Sequence, residues 1–420
     1  MNAETPKKQI TGKIKSRLST HCDWPPLEPD RFFTSANNEL IWKKYCGFLN
    51  MNINEFMIIQ KLLLMEQIEM TAGSVLGKAI LGERQPADIE EFRKFTPLTV
   101  YSDYQPELDH QDASALSIAP LLWVESSGRG GCKKNIPITL ETLKAVVDDA
   151  ITALILSSAG SKGDVNLQPQ AHMILDLPSD LLSAALVIAV NQRLPSRFLP
   201  PAQESITLAY KNRINRGIDL AFNAGLDFVA TSPDILNRVA ANIDTLTRLS
   251  KFSNWYPQAI WRILKAKIIS RYARREVLPR DIWKIKGLIN CGSDLSLDRG
   301  RIFQEWGVQP LDTYCATETC FMALQAWNKR GLNFIPYRHF YEFISRVERD
   351  KEKANPNYQP TTLFINELKA GEVYELVITN FHGGPFIRYR IGDLLKVISL
   401  QDSDIGVLMP QFKYYGRTDN

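Results

Sequence analysis

The chain has 420 residues, 45% of them hydrophobic and 23% charged, with a formal net charge of +4. That composition supplies a large core or two packed subdomains, and its mild, evenly spread positive charge calls for no anion larger than a nucleotide. The 6 cysteines form no C-x-x-C pair, the 5 histidines are scattered and no apolar run approaches membrane-spanning length. Free thiols, no transition-metal site, no nucleic-acid or membrane partner and a cytoplasmic location are therefore expected.

In chain order, residues 1–95 read as a mostly helical leader. Pro25, Pro26 and Pro29 break it early, and Phe56, Ile59, Leu62, Leu63, Ile68 and Met70 then fall in a long apolar-rich helical stretch. Asp88–Phe95 reads as a short helix with acidic residues in its first turn. Ala115–Val124 is apolar and β-branched enough for a buried strand, and Leu143, Val146, Val147, Ile151 and Leu154 recur at helical spacing. Between them lies V-E-S-S-G-R-G-G-C-K-K-N-I-P-I-T, residues 124–139. Glycines there let the backbone approach an anion, while Ser126 and Ser127 add hydroxyls and Arg129, Lys133 and Lys134 add charge. Those are the parts of a phosphate cradle, although the same composition would serve a solvent loop.

From residue 115 short apolar strands alternate with helices, which predicts an α/β layered domain. Candidate strands are Ala171–Leu177, Gly225–Ala230 and Lys286–Asn290, the last running into Cys291-Gly292-Ser293-Asp294. Small polar residues at such strand ends would sit at the carboxyl edge of a sheet, where open α/β folds bind ligands. Beyond residue 330 the pattern turns to β, in Phe334–Ile344, Thr361–Asn366, Val373–Asn380 and Leu394–Ser399, with Lys351–Pro360 as an exposed connection. The expected organisation is a helical leader (1–95), an α/β core (96–330), a β-rich sheet or small distorted barrel of the same domain (331–415) and a terminal stub (416–420).

Two further constellations carry chemistry. Tyr314-Cys315-Ala316-Thr317-Glu318 puts an aromatic ring, a hydroxyl and a carboxylate in one short loop, able to stack a base, hold a phosphate and bind Mg²⁺. In F-I-R-Y-R-I-G-D-L, residues 386–394, Gly392 would turn the chain and Asp393 would offer two oxygens to ribose hydroxyls; a β-turn Asp bonded to its own backbone is the plainer reading.

Together these motifs resemble the adenylate-forming superfamily of acyl-CoA ligases, luciferases and amide synthetases. Ser126, Ser127, Gly128, Gly131 and Lys134 match its phosphate loop S-S-G-T-T-G-x-P-K, with Arg129, Gly130 and Lys133 replacing Thr, Thr and Pro. Residues 314–318 resemble Y-G-x-T-E, residues 389–393 Y-R-x-G-D, and Gly416-Arg417-Thr418-Asp419 the G-R-x-D hinge. The stretches F-R-K-F-T-P-L-T-V-Y-S-D-Y-Q-P-E-L, H-F-Y-E-F-I and residues 371–397 are most similar to the auxin-responsive Gretchen Hagen acyl-acid amido synthetases. F-I-R-Y-R followed by G-R-T-D is similar to phenylacetate-CoA ligases.

The resemblance implies ATP and Mg²⁺ as cofactors, and an acid activated as acyl-AMP before transfer to an amine, expected to be an amino acid, or to CoA. Glu318 would hold Mg²⁺, Lys134 and the 126–131 backbone would steady the β- and γ-phosphates, and Arg417 would approach the nucleotide. Tyr314, Thr317 and Asp393 would hold the nucleoside and phosphate, Gly292 and Ser293 would lie on the adenine side, and Asp419 would be the pivot of a C-terminal lid. With Asn420 as the last residue, that lid is expected to be absent, so nucleotide binding with impaired turnover is expected. An acyl pocket is expected between the helix after the loop, Phe228–Ser232 and the barrel, with Phe321, Met322, Trp327, Phe340 and Phe343 as apolar candidates, although core packing is the plainer role for most of them. A non-catalytic nucleotide-binding relative remains the rival reading.

Overall fold

The computed structural model describes residues 27–418 apart from 34–36, 83–84, 127–132, 177–179, 195, 250–255 and 292–297. The leader folds as α1 (Asn38–Cys46), α2 (Ile53–Thr71), α3 (Val75–Leu81) and α4 (Ile89–Phe95). Each helix starts where a short polar side chain, from Asn37, Asn52, Ser74 or Asp88, accepts a first-turn N–H. On α2, Phe56, Leu64 and Ile68 share a buried face with Gln60 and Gln67. Gln60 accepts the Tyr341 N–H (3.0 Å) and donates to the His339 carbonyl (2.7 Å). Two turns on, Gln67 accepts the Gly383 N–H (3.1 Å) and donates to the Gly384 carbonyl (3.0 Å). These amides satisfy backbone that burial would otherwise orphan, so the leader is fastened to strands distant in sequence.

β1 (Leu122–Glu125) and β2 (Asn135–Ile138) form an antiparallel hairpin outside the main sheet. The strand expected over Ala115–Val124 begins only at Leu122, because Ala113–Ala115 is a tight helical turn and Pro120 can donate no ladder hydrogen bond. α5 (Leu140–Ser158), capped by Thr139, is buried nearly all round between α1, the next helix and the sheet. A β-carbon on Gly287 would lie 2.1 Å from Ser157 Oγ, so that glycine is what lets α5 press against the sheet.

The sheet then builds through β3 (His172–Leu175), α6 (Asp180–Arg193), β4 (Arg197–Phe198), α7 (Ala202–Thr207), α8 (Tyr210–Ala224), β5 (Phe228–Thr231), α9 (Pro233–Leu249), α10 (Pro257–Tyr272), α11 (Pro279–Ile282), β6 (Gly287–Cys291), α12 (Arg299–Trp306) and β7 (Leu311–Ala316). It continues through β8 (Cys320–Gln325), β9 (Leu332–Phe334), β10 (His339–Ser345), α13 (Arg346–Ala354), β11 (Thr362–Phe364), β12 (Val373–Asn380), β13 (Tyr389–Ser399) and β14 (Gln411–Arg417). Among the described residues the twelve strands β3–β14 run in the order β11-β10-β12-β13-β14-β9-β8-β7-β6-β5-β3-β4. β4, β3, β5, β6 and β7 are parallel, and every pairing from β7 through β8 to β11 is antiparallel. The mixed α/β class is as read from the sequence.

The β-rich part is joined edge to edge with the parallel part, and it curls. β7 and β13 are separated in the sheet by β14, β9 and β8, which in a flat sheet would hold them about 19 Å apart. Yet the Tyr314 hydroxyl on β7 lies 2.8 Å from the Asp393 carboxylate on β13. The expected run Phe334–Ile344 is two strands, and the break at Ile335–Arg338 turns Arg338 toward a buried pair with Asp149 of α5 (2.5 Å). The expected connection at Lys351–Pro360 begins as the end of α13, where Glu352 binds Arg390 at 2.5 Å.

Arg388 ties the leader to this curled sheet. Its guanidinium grips the buried Glu342 through two bonds (3.0 and 2.8 Å), meets Thr362 Oγ1 at 2.9 Å, and donates to the carbonyls of Arg93 (2.7 Å) and Thr96 (2.5 Å). Arg388→Met strands the Glu342 carboxylate, so it should lower unfolding free energy by about 3–5 kcal/mol in denaturant titration. The double variant with Glu342→Gln should recover part of that loss. A single variant as stable as wild type would show that the pair does not hold the leader down.

Candidate functional site

The hairpin β1–β2 positions Lys134. Ser126 donates its N–H to the Lys134 carbonyl (2.9 Å) and accepts the Lys134 N–H on Oγ (3.1 Å), clamping the two ends of the 127–132 segment together. On the opposite wall β7 ends at Ala316, the chain turns through Thr317–Thr319, and Cys320 takes a left-handed φ of 56° to start β8. Glu318 stands on that turn beside half-buried Thr317. Lys134 Nζ lies 2.8 Å from Glu318 Oε1 and donates to the Tyr389 hydroxyl, also at 2.8 Å. Burial disfavours the Lys134 ammonium, but the charge and hydrogen bond of Glu318, with Tyr389, outweigh it and hold the pKa above its ordinary value.

A second cluster lies where β7 meets β13 and β14. The Tyr314 hydroxyl donates to Asp393 Oδ2 at 2.8 Å, and Arg417 Nε is 2.9 Å from Oδ1. Arg417 also donates to the Ile391 carbonyl at 2.9 Å. Asp393 faces Arg417 across the β13–β14 ladder. Gly392 does not turn the chain as expected: it sits inside β13 at φ 79°, within the irregularity where Arg390–Leu394 pair with only Val377–Glu375 of β12, so the bend is a bulge that re-aims Asp393. Burial, then the neighbouring Asp393 charge, pushes the Tyr314 hydroxyl well up, so it stays a donor. Burial also raises Asp393, against the pull of Tyr314 and Arg417.

Sequence reasoning passed over three residues that support these groups. Tyr389 belongs to the stretch that resembles Y-R-x-G-D, a resemblance that gives it no role. His339 Nε2 is 2.9 Å from the Thr319 carbonyl and Nδ1 is 3.2 Å from Asn380 Nδ2, the pattern of a neutral ring that donates from Nε2 and accepts at Nδ1. Asn380 also reaches the Glu318 carbonyl at 3.4 Å, so both side chains brace the turn that carries Glu318. Burial presses His339 down to about 3. The signal available was the polar pair itself, set in apolar strands.

A cavity beside Glu318 is lined by Thr142, Ala145 and Val146 of α5, by Thr319, Arg338 and His339, and by Phe381 and His382. It borders the helix after the loop, and Phe228–Ser232 is not part of its wall. The five apolar candidates belong to the core instead. Phe340 packs on Phe92 and Phe364, Phe343 on Phe334 and Phe412, and Trp327 on Trp42, while Phe321 and Met322 are buried in β8. Ser127, Gly128, Gly131, Gly292, Ser293 and Asp419 lie outside the described residues.

Among the described residues no group of three or more His, Cys, Asp and Glu side chains could hold a metal ion. Glu318 is a single carboxylate at a cleft edge, 11% exposed. That donor set fits Mg²⁺ carried by a nucleotide, since the ion takes one or two carboxylates and completes its shell with phosphate oxygens and water. Among the described residues no helix is long and apolar enough to cross a membrane.

Residues 332–417 match the model of the GH3 family central domain. The indole-3-acetic acid-amido synthetase GH3.15 of Arabidopsis thaliana is 28% identical over 130 residues, 27% of this chain and 19% of that protein. The jasmonoyl–L-amino acid synthetase JAR4 of Nicotiana attenuata is 36% identical over 63 residues, 15% of this chain and 10% of its own length. The match thus spans a fifth or less of either curated relative. Among solved structures, the AtGH3.15 acyl acid amido synthetase in complex with 2,4-DB superposes with a TM-score of 0.63 at 17% identity, covering 91% of this chain and 71% of that one. A 2-hydroxyisobutyryl-CoA ligase in complex with 2-HIB-AMP and CoA gives 0.60 at 14% identity, covering 88% and 70%. Residues 332–417 are thus similar to the GH3 family central domain, and the chain carries the fold seen in an acyl acid amido synthetase and in a 2-hydroxyisobutyryl-CoA ligase.

Proposed function

We propose that this chain activates a carboxylic acid with ATP and passes the acyl group to the amine of an amino acid. The observation that carries the reading is the convergence of Lys134, Glu318 and Tyr389 beside Tyr314, Asp393 and Arg417, six side chains from four separate stretches of sequence. GH3.15 and JAR4 are named for this chemistry, which supports the amine as acceptor.

In the proposed first step an acid oxygen attacks the α-phosphorus of ATP, a new P–O bond forms, and the bond to pyrophosphate breaks. Asp393 accepts hydrogen bonds from the ribose hydroxyls, and Tyr314 keeps that carboxylate aimed. Lys134 offers its ammonium to the β- and γ-phosphates, exchanging Glu318 for phosphate oxygens. Glu318 would hold Mg²⁺, which supplies charge neutralisation when bound with the nucleotide. Arg417 meets the α-phosphate side. Ser126, Ser127, Gly128 and Gly131 complete the cradle, Thr317 adds a hydroxyl, Gly292 and Ser293 border the adenine, and Asp419 is the hinge. The catalytic contribution is placement and charge compensation at phosphorus. The cavity of Ala145, Val146 and Phe381, which has room for about one water as it stands, would widen to receive the acid's apolar body. In the second step the amine nitrogen attacks the acyl carbon, AMP departs with the bonding electrons, and the amine releases a proton.

The test is product mass. Protein, Mg²⁺, ATP and a panel of aryl and short alkyl acids are incubated with amino acids or with CoA, and with hydroxylamine to trap acyl-AMP. Amides and hydroxamates are expected; thioesters with no amides would transfer the reading to a CoA ligase, the acceptor of the second structural neighbour. No nucleotide-dependent product and no AMP binding would end it.

Asp393→Ala should weaken AMP by about 10–100-fold in calorimetry, the worth of hydrogen bonds to a charged group. Glu318→Gln should bind AMP nearly as wild type while losing the Mg²⁺ dependence of ATP binding. Equal AMP affinity in Asp393→Ala would place the nucleoside elsewhere.

His339 predicts a pH response. Its folded pKa near 3 lies below the free value of 6.5, so between these limits the unfolded chain takes up a proton that the folded chain refuses. Stability from this group is complete above pH 6.5 and is lost as pH falls toward 3. Wild type should therefore lose stability relative to His339→Gln across that window in denaturant titrations, and parallel pH profiles would contradict a buried neutral ring.

A further inference from the structure

Helix α10 wears its large apolar side chains on the outside. Its inward face is Ala259, Ile263, Ala266 and Ser270, mostly small residues packed against the core. Outward, at helical spacing, stand Trp261 (67% exposed), Leu264 (46%), Ile268 (66%) and Tyr272 (93%). An amphipathic helix serving the core alone would reverse this order. Side chains exposed to this degree form a ridge, not the wall of a groove.

Charge on the same helix has one sign. Residues 257–272 contain Arg262, Lys265, Lys267 and Arg271 and no Asp or Glu, and Arg274 follows directly. Arg262 is engaged with the Phe222 carbonyl (2.7 Å) and Lys267 points to the Thr247 carbonyl (3.5 Å). Lys265, Arg271 and Arg274 are exposed, with Lys265 and Arg271 on opposite flanks of the apolar ridge. Arg275, just beyond, is bound to Asp281 at 2.6 Å. A ridge of Trp, Leu, Ile and Tyr edged by cations suits the boundary between acyl chains and anionic headgroups. A second copy of the same positive face would be repelled.

We propose that the outer face of α10 is a peripheral docking surface for an anionic lipid bilayer, with Trp261, Leu264, Ile268 and Tyr272 entering the interface and Lys265, Arg271 and Arg274 meeting headgroup phosphates. This departs from the expectation of no membrane partner, which rested on the lack of a spanning segment; lying on a bilayer needs none. The surface shares no residue with the nucleotide cluster, so the proposal stands or falls apart from the activity.

The test is flotation of the whole chain with vesicles of phosphatidylglycerol and phosphatidylcholine, against phosphatidylcholine alone. Binding is expected only to the anionic vesicles, with a blue shift of tryptophan emission that Trp261→Phe diminishes. Ile268→Glu, or Lys265→Gln with Arg271→Gln, should each cut the bound fraction about tenfold, with denaturation midpoint and AMP affinity unchanged. No flotation with anionic vesicles, or flotation indifferent to these substitutions, overturns the proposal. So does a wild-type dimer in sedimentation that Ile268→Glu dissociates, since the ridge would then be a self-association surface.

Discussion

The arrangement turns on one ammonium group. Lys134 Nζ is held between Glu318, 184 residues away in sequence, and Tyr389, 255 residues away. Lys134 and its two partners lie on the hairpin beside α5, the β7–β8 turn and the start of β13, so one side chain is where three parts of the chain are brought into register. Half-buried charges of opposite sign at 2.8 Å attract strongly enough to survive partial desolvation, but they are also exposed enough to be exchanged. A group that binds phosphate needs both properties. It must be charged and aimed before the nucleotide arrives, and its standing partner must be displaceable.

The sheet explains how such distant residues meet. Its parallel half ends at β7, and the small polar residues beyond that strand's carboxyl end lie where open α/β sheets bind ligands. Its antiparallel half curls until β13 lies against β7, so that the Asp393 carboxylate closes on the Tyr314 hydroxyl. Neither half alone holds both members of that pair. The buried Arg388–Glu342 pair and the two amides of α2 hold the curled half and the leader in place, so part of the apparently structural N-terminal region serves the geometry of the cleft.

Local pattern carried the fold class and most strands, because alternation and helical spacing are decided within a few residues. Val373–Asn380 was read with its true limits, and the helix after the loop was read from Leu143 to Leu154. What failed depended on contacts across the chain. Gly392 reads as a turn in sequence, and only pairing with β12 makes it a bulge. Phe340, Phe343 and Trp327 could by type line a pocket or fill a core, and ring partners far away in sequence place them in the core. His339 and Asn380 escaped notice because their role is to brace a turn that sequence spacing does not connect with them. Lys134, Glu318, Tyr314, Asp393 and Arg417 stand out in sequence through the motifs they resemble, whereas their mutual contacts do not.

A structure determined with ATP and Mg²⁺ tests the central claim most directly. The account predicts adenosine against Tyr314 with its ribose on Asp393, and phosphate oxygens in place of Glu318 beside Lys134. Nucleotide bound away from this crevice, or a Lys134–Glu318 contact unaltered by the triphosphate, would contradict it.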